Sequence, residues 1–122
     1  MKILLAEDEN QLRAIYSKVF QKEGIEVIAV SDGLEAYKAL KKHSDIDIIV
    51  SDLKMPYYDG FWLLDKVKGD SDLKHLPFVV ISGYIDGSES ILRIKGVSEI
   101  ISKPCDIRKL VDLVHLPAQL AS

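Results

Sequence analysis

Short apolar runs alternate with longer amphipathic segments along the whole chain, and this alternation limits the possible folds more than any other feature. Two of the runs, residues 46–50 and 78–81, are nearly continuous and β-branched. Such runs are typical of parallel strands that helices cover on both faces. The pattern predicts strands at residues 2–6, 25–30, 46–51, 78–82 and 99–102.

The segments between these runs have helical spacing of their apolar residues. The pattern is clearest in the first, and Gly24 follows it as a helix stop. The spacing predicts helices at residues 10–22, 33–42, 59–68 and 86–95. We expect Asp106 to cap a last helix that runs to residue 115 and that Pro117 ends.

Five strand–helix units in succession predict a doubly wound α/β fold with a five-stranded parallel sheet. For a chain of 122 residues the expected strand order is 2-1-3-4-5, in one domain over residues 1–122 with no output domain. In this order the winding reverses beside the first strand. The carboxyl ends of strands 1 and 3 then face a common crevice, which is where such sheets bind ligands.

Composition and charge disfavour several classes of protein. The net charge of -3, from 16 basic and 19 acidic residues, disfavours direct nucleic-acid binding. The single cysteine, Cys105, cannot form an internal disulfide. No apolar stretch approaches the ~20 residues of a membrane span. The acids at 7–9 interrupt the apolar start, so we expect no secretory leader and a cytoplasmic protein without membrane contact.

Acidic residues follow two strands that the predicted topology makes neighbours. Strand 1 leads into Glu7, Asp8 and Glu9, and strand 3 ends at Asp52. Carboxylates that lie close together need a positive partner, because like charges raise one another's pKa. Oxygen ligands of this kind suit Mg²⁺ combined with a phosphate group. The alternative is that these acids are solvated loop residues.

Two more polar residues end strands at the same edge. Ser82 closes strand 4 before Gly83, and Lys103 precedes Pro104 at the end of strand 5. We expect the Lys103 ammonium to pair with Asp52, with a cis peptide bond before Pro104 as one way to fix its direction. Each residue alone is an ordinary turn residue. Their coincidence with the acids favours a phosphoryl-transfer site.

These motifs resemble the receiver domain of two-component response regulators, over residues 2 to about 114. The similar segments are residues 2–9 (KILLAEDE), residues 51–60 (SDLKMPYYDG), Ser82-Gly83 and Lys103-Pro104. The resemblance implies a flavodoxin-like (βα)5 fold. It also implies a switch that catalyses its own phosphorylation and dephosphorylation only, and is not otherwise an enzyme.

The resemblance also implies a role for each site residue. Asp52 would be the nucleophile that takes a phosphoryl group from a sensor histidine kinase or a histidine phosphotransfer protein. Lys103 and Ser82 would complete the catalytic set. Mg²⁺ would be held by Glu7, Asp8, Asp52 and the backbone carbonyl of Lys54. A monomer or weak dimer would then bind a downstream protein target differently in its two states.

The chain departs from the family pattern at several positions. Ile100 stands where receivers usually carry Tyr or Phe, which predicts a different route for the switch. Lys54 and Tyr84, two residues after Asp52 and Ser82, predict a long-lived phosphoryl group. Aromatic residues after the acceptor either contact a partner or cover the third helix; they are Tyr57, Tyr58 and Trp62. The histidines lie in unrelated segments and predict no metal ligands; they are His43, His75 and His115.

Three other functions compete with this interpretation. A docking module with the receiver fold but no phosphoryl chemistry is disfavoured by the intact polar set. A flavin or nucleotide binder would need a glycine-rich loop after strand 1, where this chain has acids. A phosphatase of the Asp-based type would ordinarily have a second Asp at position 54, which here is Lys54.

Overall fold

The computed structural model describes residues 1–83, 87–106, 108–112 and 114–115. Its strands are β1 (Lys2–Ala6), β2 (Glu26–Val30), β3 (Ile48–Ser51), β4 (Phe78–Ser82) and β5 (Glu99–Ser102). Its helices are α1 (Asn10–Lys22), α2 (Gly33–Lys42), α3 (Gly60–Lys68) and α4 (Glu89–Ile94). Residues 108–112 and 114–115 are also helical and are called α5 below.

The strands form one sheet of order β2-β1-β3-β4-β5, and each neighbouring pair is parallel. The predicted fold class and strand order are therefore confirmed. In β1, Ala6 is in register with Val30 of β2 and with Ser51 of β3. The residues that follow β1 and β3 consequently emerge side by side at the reversal point of the sheet.

The sheet separates two hydrophobic clusters. Alternate residues of each central strand enter opposite clusters, so that Leu4 joins the cluster beneath α2, α3 and α4 while Ile3 joins the one beneath α1 and α5. Every residue of β3 and β4 is buried. Helices on both faces therefore account for the nearly continuous apolar runs in these two strands.

The observed boundaries differ from the predicted ones at two strands. Ile25 is buried, but its backbone N–H donates to the Phe20 carbonyl 3.0 Å away, so it belongs to the turn that ends α1. Ile46 is also buried just before β3. Both residues contribute apolar surface without joining the strand ladder, and for this reason apolar pattern alone placed them in strands.

Capping side chains set the starts of α3 and α5, whereas α4 starts after Gly87. The Asp59 side chain accepts a 2.9 Å hydrogen bond from the Trp62 N–H, so α3 begins one residue later than predicted. α4 is shorter than the predicted 86–95, since Gly87 has φ 77°, outside the helical region. Asp106 caps α5 as predicted, accepting from the Arg108 N–H at 2.9 Å. The predicted stop at Pro117, like the Asp86 start of the fourth helix, lies outside the described residues.

Among the described residues, no helix has both the length and the apolar character that a membrane span requires.

Candidate functional site

Three carboxylates from distant parts of the sequence converge at the carboxyl edge of the sheet. Glu7 and Asp8 follow β1, and Asp52 follows β3, with ligand oxygens of the three within 4.8 Å of one another. The Asp52 N–H donates to the Ala6 carbonyl at 3.0 Å, which extends the β1–β3 ladder as far as the acid. Glu7 and Asp52 are buried, whereas Asp8 is exposed. The topology thus gathers the acids as the strand order predicted.

Lys103 joins two of these acids. Its Nζ donates to Glu7 Oε1 and to Asp52 Oδ2, both at 2.7 Å. The Lys103 backbone N–H donates to the Ser82 carbonyl at 3.0 Å, and the peptide bond to Pro104 is cis. The predicted ion pair between Lys103 and Asp52 is therefore present.

Burial and charge act against each other in this cluster. Burial raises the pKa of Glu7, and the hydrogen bonds from Lys103 and the Glu9 amide only partly offset it. Burial lowers the pKa of Lys103, but its hydrogen bonds to Asp52 and Glu7 outweigh this and leave the pKa raised. Lys103 therefore stays protonated at neutral pH. One ammonium faces three carboxylates, and the excess negative charge favours a further cation.

An open cavity of about 610 Å³ lies beside the cluster. Ser82, which is buried at the end of β4, contributes to its wall. The Lys54 N–H donates a long hydrogen bond of 3.3 Å to Asp52 Oδ1. The lining residues are Asp8, Asp52, Lys54, Met55, Pro56, Ser82, Gly83 and Lys103. All the residues predicted for catalysis therefore reach one open cavity, in which an incoming group has access to Asp52.

The donor set fits a hard divalent cation. Carboxylate oxygens at this separation suit Mg²⁺, and the open side leaves room for the waters that Mg²⁺ retains. Within the described ranges, this is the one group of three or more His, Cys, Asp and Glu side chains at ligand spacing. Among the described residues, no histidine belongs to a group of this kind.

Arg13 is a site residue that sequence reasoning missed. Its Nη1 donates to the backbone carbonyls of Glu7 at 2.9 Å and Asp8 at 3.4 Å, and its Nη2 donates to Asn10 Oδ1 at 2.6 Å. The available signal was a basic residue at the end of the first turn of the helix that follows the acids. An arginine there is close enough to reach back over the helix N-terminus.

Two of the three aromatic residues that follow Asp52 cover α3. The Tyr58 ring lies 4.8 Å from the Trp62 ring at 65°, and Trp62 in turn meets Tyr37 of α2 at 6.2 Å and 83°. Lys66 Nζ lies 5.5 Å from the centre of the Trp62 ring. For Tyr58 and Trp62 these contacts favour the covering role over a partner contact.

Tyr57 differs from its neighbours because it is 95% exposed and has φ 66°. The Tyr58 N–H donates to the Pro56 carbonyl at 2.8 Å, so Tyr57 is the central residue of a γ-turn. The left-handed region costs a non-glycine residue about 1–2 kcal/mol. We expect Tyr57→Gly to raise the free energy of unfolding, measured by urea denaturation, by about 0.5–1 kcal/mol. The gain is smaller than the backbone strain that glycine removes, because glycine also raises the entropy of the unfolded chain.

Tyr58→Gly is the matched control for this prediction. It removes the ring that packs on Trp62, so we expect it to lower the free energy of unfolding. If both variants lowered it to the same extent, the γ-turn would not strain the chain at Tyr57.

Ile100 is in register with Val80 of β4 and packs against the cluster beneath α2, α3 and α4. Cys105 is half-buried against the opposite cluster. Lys54 is exposed beside the cavity, and Tyr84 lies outside the described residues. The effect of Lys54 and Tyr84 on the lifetime of a phosphoryl group stays a prediction.

The strand order and the site together define a flavodoxin-like (βα)5 domain with an acid–lysine centre at the carboxyl edge of its sheet. Residues 3–115 match the family model of the response regulator receiver domain. The chain belongs to that family, the receiver domains of two-component signal transduction.

Known proteins resemble the chain over nearly its whole length. It is 32% identical over 106 residues to Chemotaxis protein CheY1 of Helicobacter pylori, covering 85% of this chain and 86% of that protein. It is 25% identical over 113 residues to the Polar-differentiation response regulator DivK of Brucella anthropi, covering 92% and 91%. The structure of Vibrio cholerae chemotaxis protein CheY4 matches with a TM-score of 0.87 at 26% identity, covering 94% of this chain and 96% of that one.

Proposed function

We propose that this chain is the phosphoacceptor switch of a two-component phosphorelay, and that Asp52 carries the phosphoryl group. The observation that carries the proposal is the position of Asp52. Its carboxylate is ion-paired to Lys103 at 2.7 Å, belongs to a cluster with Glu7 and Asp8, and borders an open cavity. Membership of the receiver family supports the same assignment.

The donor in this proposal is a phosphohistidine on a sensor histidine kinase or a histidine phosphotransfer protein. An Asp52 carboxylate oxygen forms a bond to phosphorus while the bond from phosphorus to the imidazole nitrogen breaks. The nitrogen keeps the electron pair and takes up a proton. The product is an aspartyl phosphate, a known form of carboxylate nucleophilic catalysis.

Glu7, Asp8, Asp52 and the carbonyl of Lys54 would hold Mg²⁺. When bound, the ion offsets the charge of the phosphoryl oxygens. Lys103 already donates to Asp52 and is placed to donate to a phosphoryl oxygen after transfer. Ser82, in the wall of the cavity, supplies a hydroxyl donor for a second phosphoryl oxygen. These groups position and neutralise the reactants, which is most of what phosphoryl transfer requires.

The proposed output is altered binding of a downstream protein target, with the chain acting in the cytoplasm as a monomer or weak dimer. The chain would catalyse only its own phosphorylation and dephosphorylation. The net charge of -3 speaks against direct nucleic-acid binding. The names of two relatives, a chemotaxis protein and a polar-differentiation response regulator, support a signalling role.

The proposal predicts that the protein takes up one phosphoryl group when incubated with Mg²⁺ and a small acyl phosphate. Intact mass measures the uptake, and the phosphate should be acid-stable and base-labile. Asp52→Asn should abolish uptake, because an amide is not a nucleophile of comparable strength. Asp65→Asn is the matched control and should leave uptake unchanged, since Asp65 is an exposed acid on α3 that pairs with Lys95.

Uptake by Asp52→Asn equal to that of the wild type would place the phosphate on another residue. A wild-type protein that takes up no phosphate would favour the docking module instead.

A further inference from the structure

Arg13 holds the loop that carries two of the acids, and it does so without touching a carboxylate. The loop joins β1 to α1 through Glu7, Asp8 and Glu9. The guanidinium of Arg13 donates to two consecutive peptide carbonyls of this loop, those of Glu7 and Asp8. Asn10 Oδ1, at 2.6 Å, fixes the other side of the guanidinium.

The loop has a physical need for such support. Two of its acids, Glu7 and Asp8, lie close to each other and to Asp52. Lys103 bridges Glu7 to Asp52, but one ammonium does not balance three carboxylates, and the remaining repulsion favours movement of the loop away from β3. Glu9 stands at the N-cap of α1 but makes no side-chain capping hydrogen bond. The Glu7 carboxylate accepts from the Glu9 N–H at 3.1 Å, a contact inside the loop that does not anchor it to α1. Arg13 supplies the side-chain anchor from the helix.

We propose that Arg13 is a positioning residue for the cation site, and that it raises Mg²⁺ affinity by fixing the backbone from which Glu7 and Asp8 project. The proposal rests on the proposed function, because it presumes that the acids bind Mg²⁺. Arg13 leaves the carboxylate oxygens available, since its hydrogen bonds go to carbonyls and to Asn10. Lys103 does the opposite, because it occupies an oxygen of Glu7 and an oxygen of Asp52.

Because of this difference, the direction in which the Mg²⁺ affinity changes shows whether Arg13 acts through its charge or by orienting the ligands. Removing a positive charge beside a cation site should tighten Mg²⁺ binding if charge alone matters. Removing a group that orients the ligands should weaken it, typically by about 10- to 100-fold. For Arg13→Ala we therefore expect the Mg²⁺ Kd, measured by titration calorimetry, to rise about tenfold or more.

Two further variants complete the experiment. Arg93→Ala removes an exposed arginine on α4 that lies 4.0 Å from Glu89, and its Mg²⁺ Kd should equal that of the wild type. Asn10→Ala keeps Arg13 but removes one anchor of its guanidinium, and should raise the Kd by a smaller factor. This milder variant decides the question if Arg13→Ala does not fold.

Backbone hydrogen exchange gives a readout that does not depend on bound metal. In Arg13→Ala without Mg²⁺, the amides of residues 8–11 should exchange faster, while those of β3 and β4 keep wild-type rates. A Kd equal to or tighter than that of the wild type would overturn the role of Arg13 and leave the proposed function intact. Failure of the wild type to bind Mg²⁺ would overturn both.

Discussion

Replacing Gly60 with alanine is expected to destabilise the fold by roughly 3 kcal/mol, because the added methyl has no space. A Cβ at Gly60 would lie 2.3 Å from the Asp52 carbonyl oxygen and 2.8 Å from Leu53 Cα. Both atoms belong to the backbone and cannot rotate away. The Gly60 N–H also donates to the Leu53 carbonyl at 2.9 Å. This hydrogen bond holds the first residue of α3 against the beginning of the loop after β3.

The same substitution should impair phosphoryl transfer even in the fraction that stays folded. Gly60 packs directly on the peptide of Asp52, so relief of the clash must shift that peptide. A displacement of about 1 Å at a reacting group can cost ~100-fold in rate. The free energy of unfolding by urea denaturation, and the rate of phosphate uptake well below the unfolding midpoint, test the two expectations separately.

Gly83→Ala is the matched stability control. Among the described residues, a Cβ at Gly83 would meet the Lys103 Cβ alone, at 3.9 Å, which is ordinary van der Waals contact. We expect Gly83→Ala to lose little or no stability, because alanine also restricts the unfolded chain. If Gly60→Ala proved as stable as Gly83→Ala, the conclusion that Gly60 packs directly against the Asp52 peptide would be wrong.

The sheet could be predicted from the sequence because its strands coincide with apolar runs. β3 and β4 are buried throughout, whereas β2, at the edge of the sheet, is partly exposed. β1, β4 and β5 begin and end where the apolar runs do. The errors fall at residues whose burial comes from something other than the strand ladder. Ile25 packs in the turn that ends α1, and Ile46 is buried before β3 begins.

The convergence of the acids could be predicted because it depends only on strand order. Once β1 and β3 are neighbours, the residues that follow them must meet. The contacts of Arg13 could not be predicted in this way, because a basic residue at the end of the first helical turn does not by itself show that its guanidinium binds backbone carbonyls. The orientation of the aromatic side chains was equally hidden, since the γ-turn at Tyr57 exposes that ring while Tyr58 packs on Trp62.

Lys103→Met is expected to lower the free energy of unfolding by about 3–5 kcal/mol at neutral pH without Mg²⁺. Loss of one partner of a buried ion pair has roughly this effect, because the other charges stay buried and unpaired. Here two carboxylates lose their partner, and the side chains of Glu7 and Asp52 are only 1% and 8% exposed. Urea denaturation of the wild type and the variant measures the difference.

The loss should depend on pH in a defined direction. Burial already raises the pKa of Glu7, and without Lys103 the main opposing effect disappears, so this pKa rises further. A carboxyl group with a raised folded-state pKa favours folding below the unfolded-state pKa, and this contribution is lost as pH rises through the folded-state value. The pKa of Lys103 is also raised, so its own contribution in the wild type is constant below pH ~10. The difference in the free energy of unfolding between the wild type and Lys103→Met should therefore grow from acidic to neutral pH.

Mg²⁺ should reverse much of this loss if it binds as proposed. Lys103 occupies oxygens of Glu7 and Asp52, so its removal should tighten Mg²⁺ binding while abolishing efficient phosphate uptake. Ligand at 100 times its Kd stabilises by about 2.7 kcal/mol, which is slightly less than the lower end of the expected deficit. Lys95→Met is the matched control, because Lys95 pairs with Asp65 at the same 2.7 Å on the exposed surface. Such a pair contributes only about 0–1 kcal/mol. If Lys103→Met lost no more stability than Lys95→Met, at neutral pH and without Mg²⁺, the acid cluster would not depend on Lys103 for its charge balance.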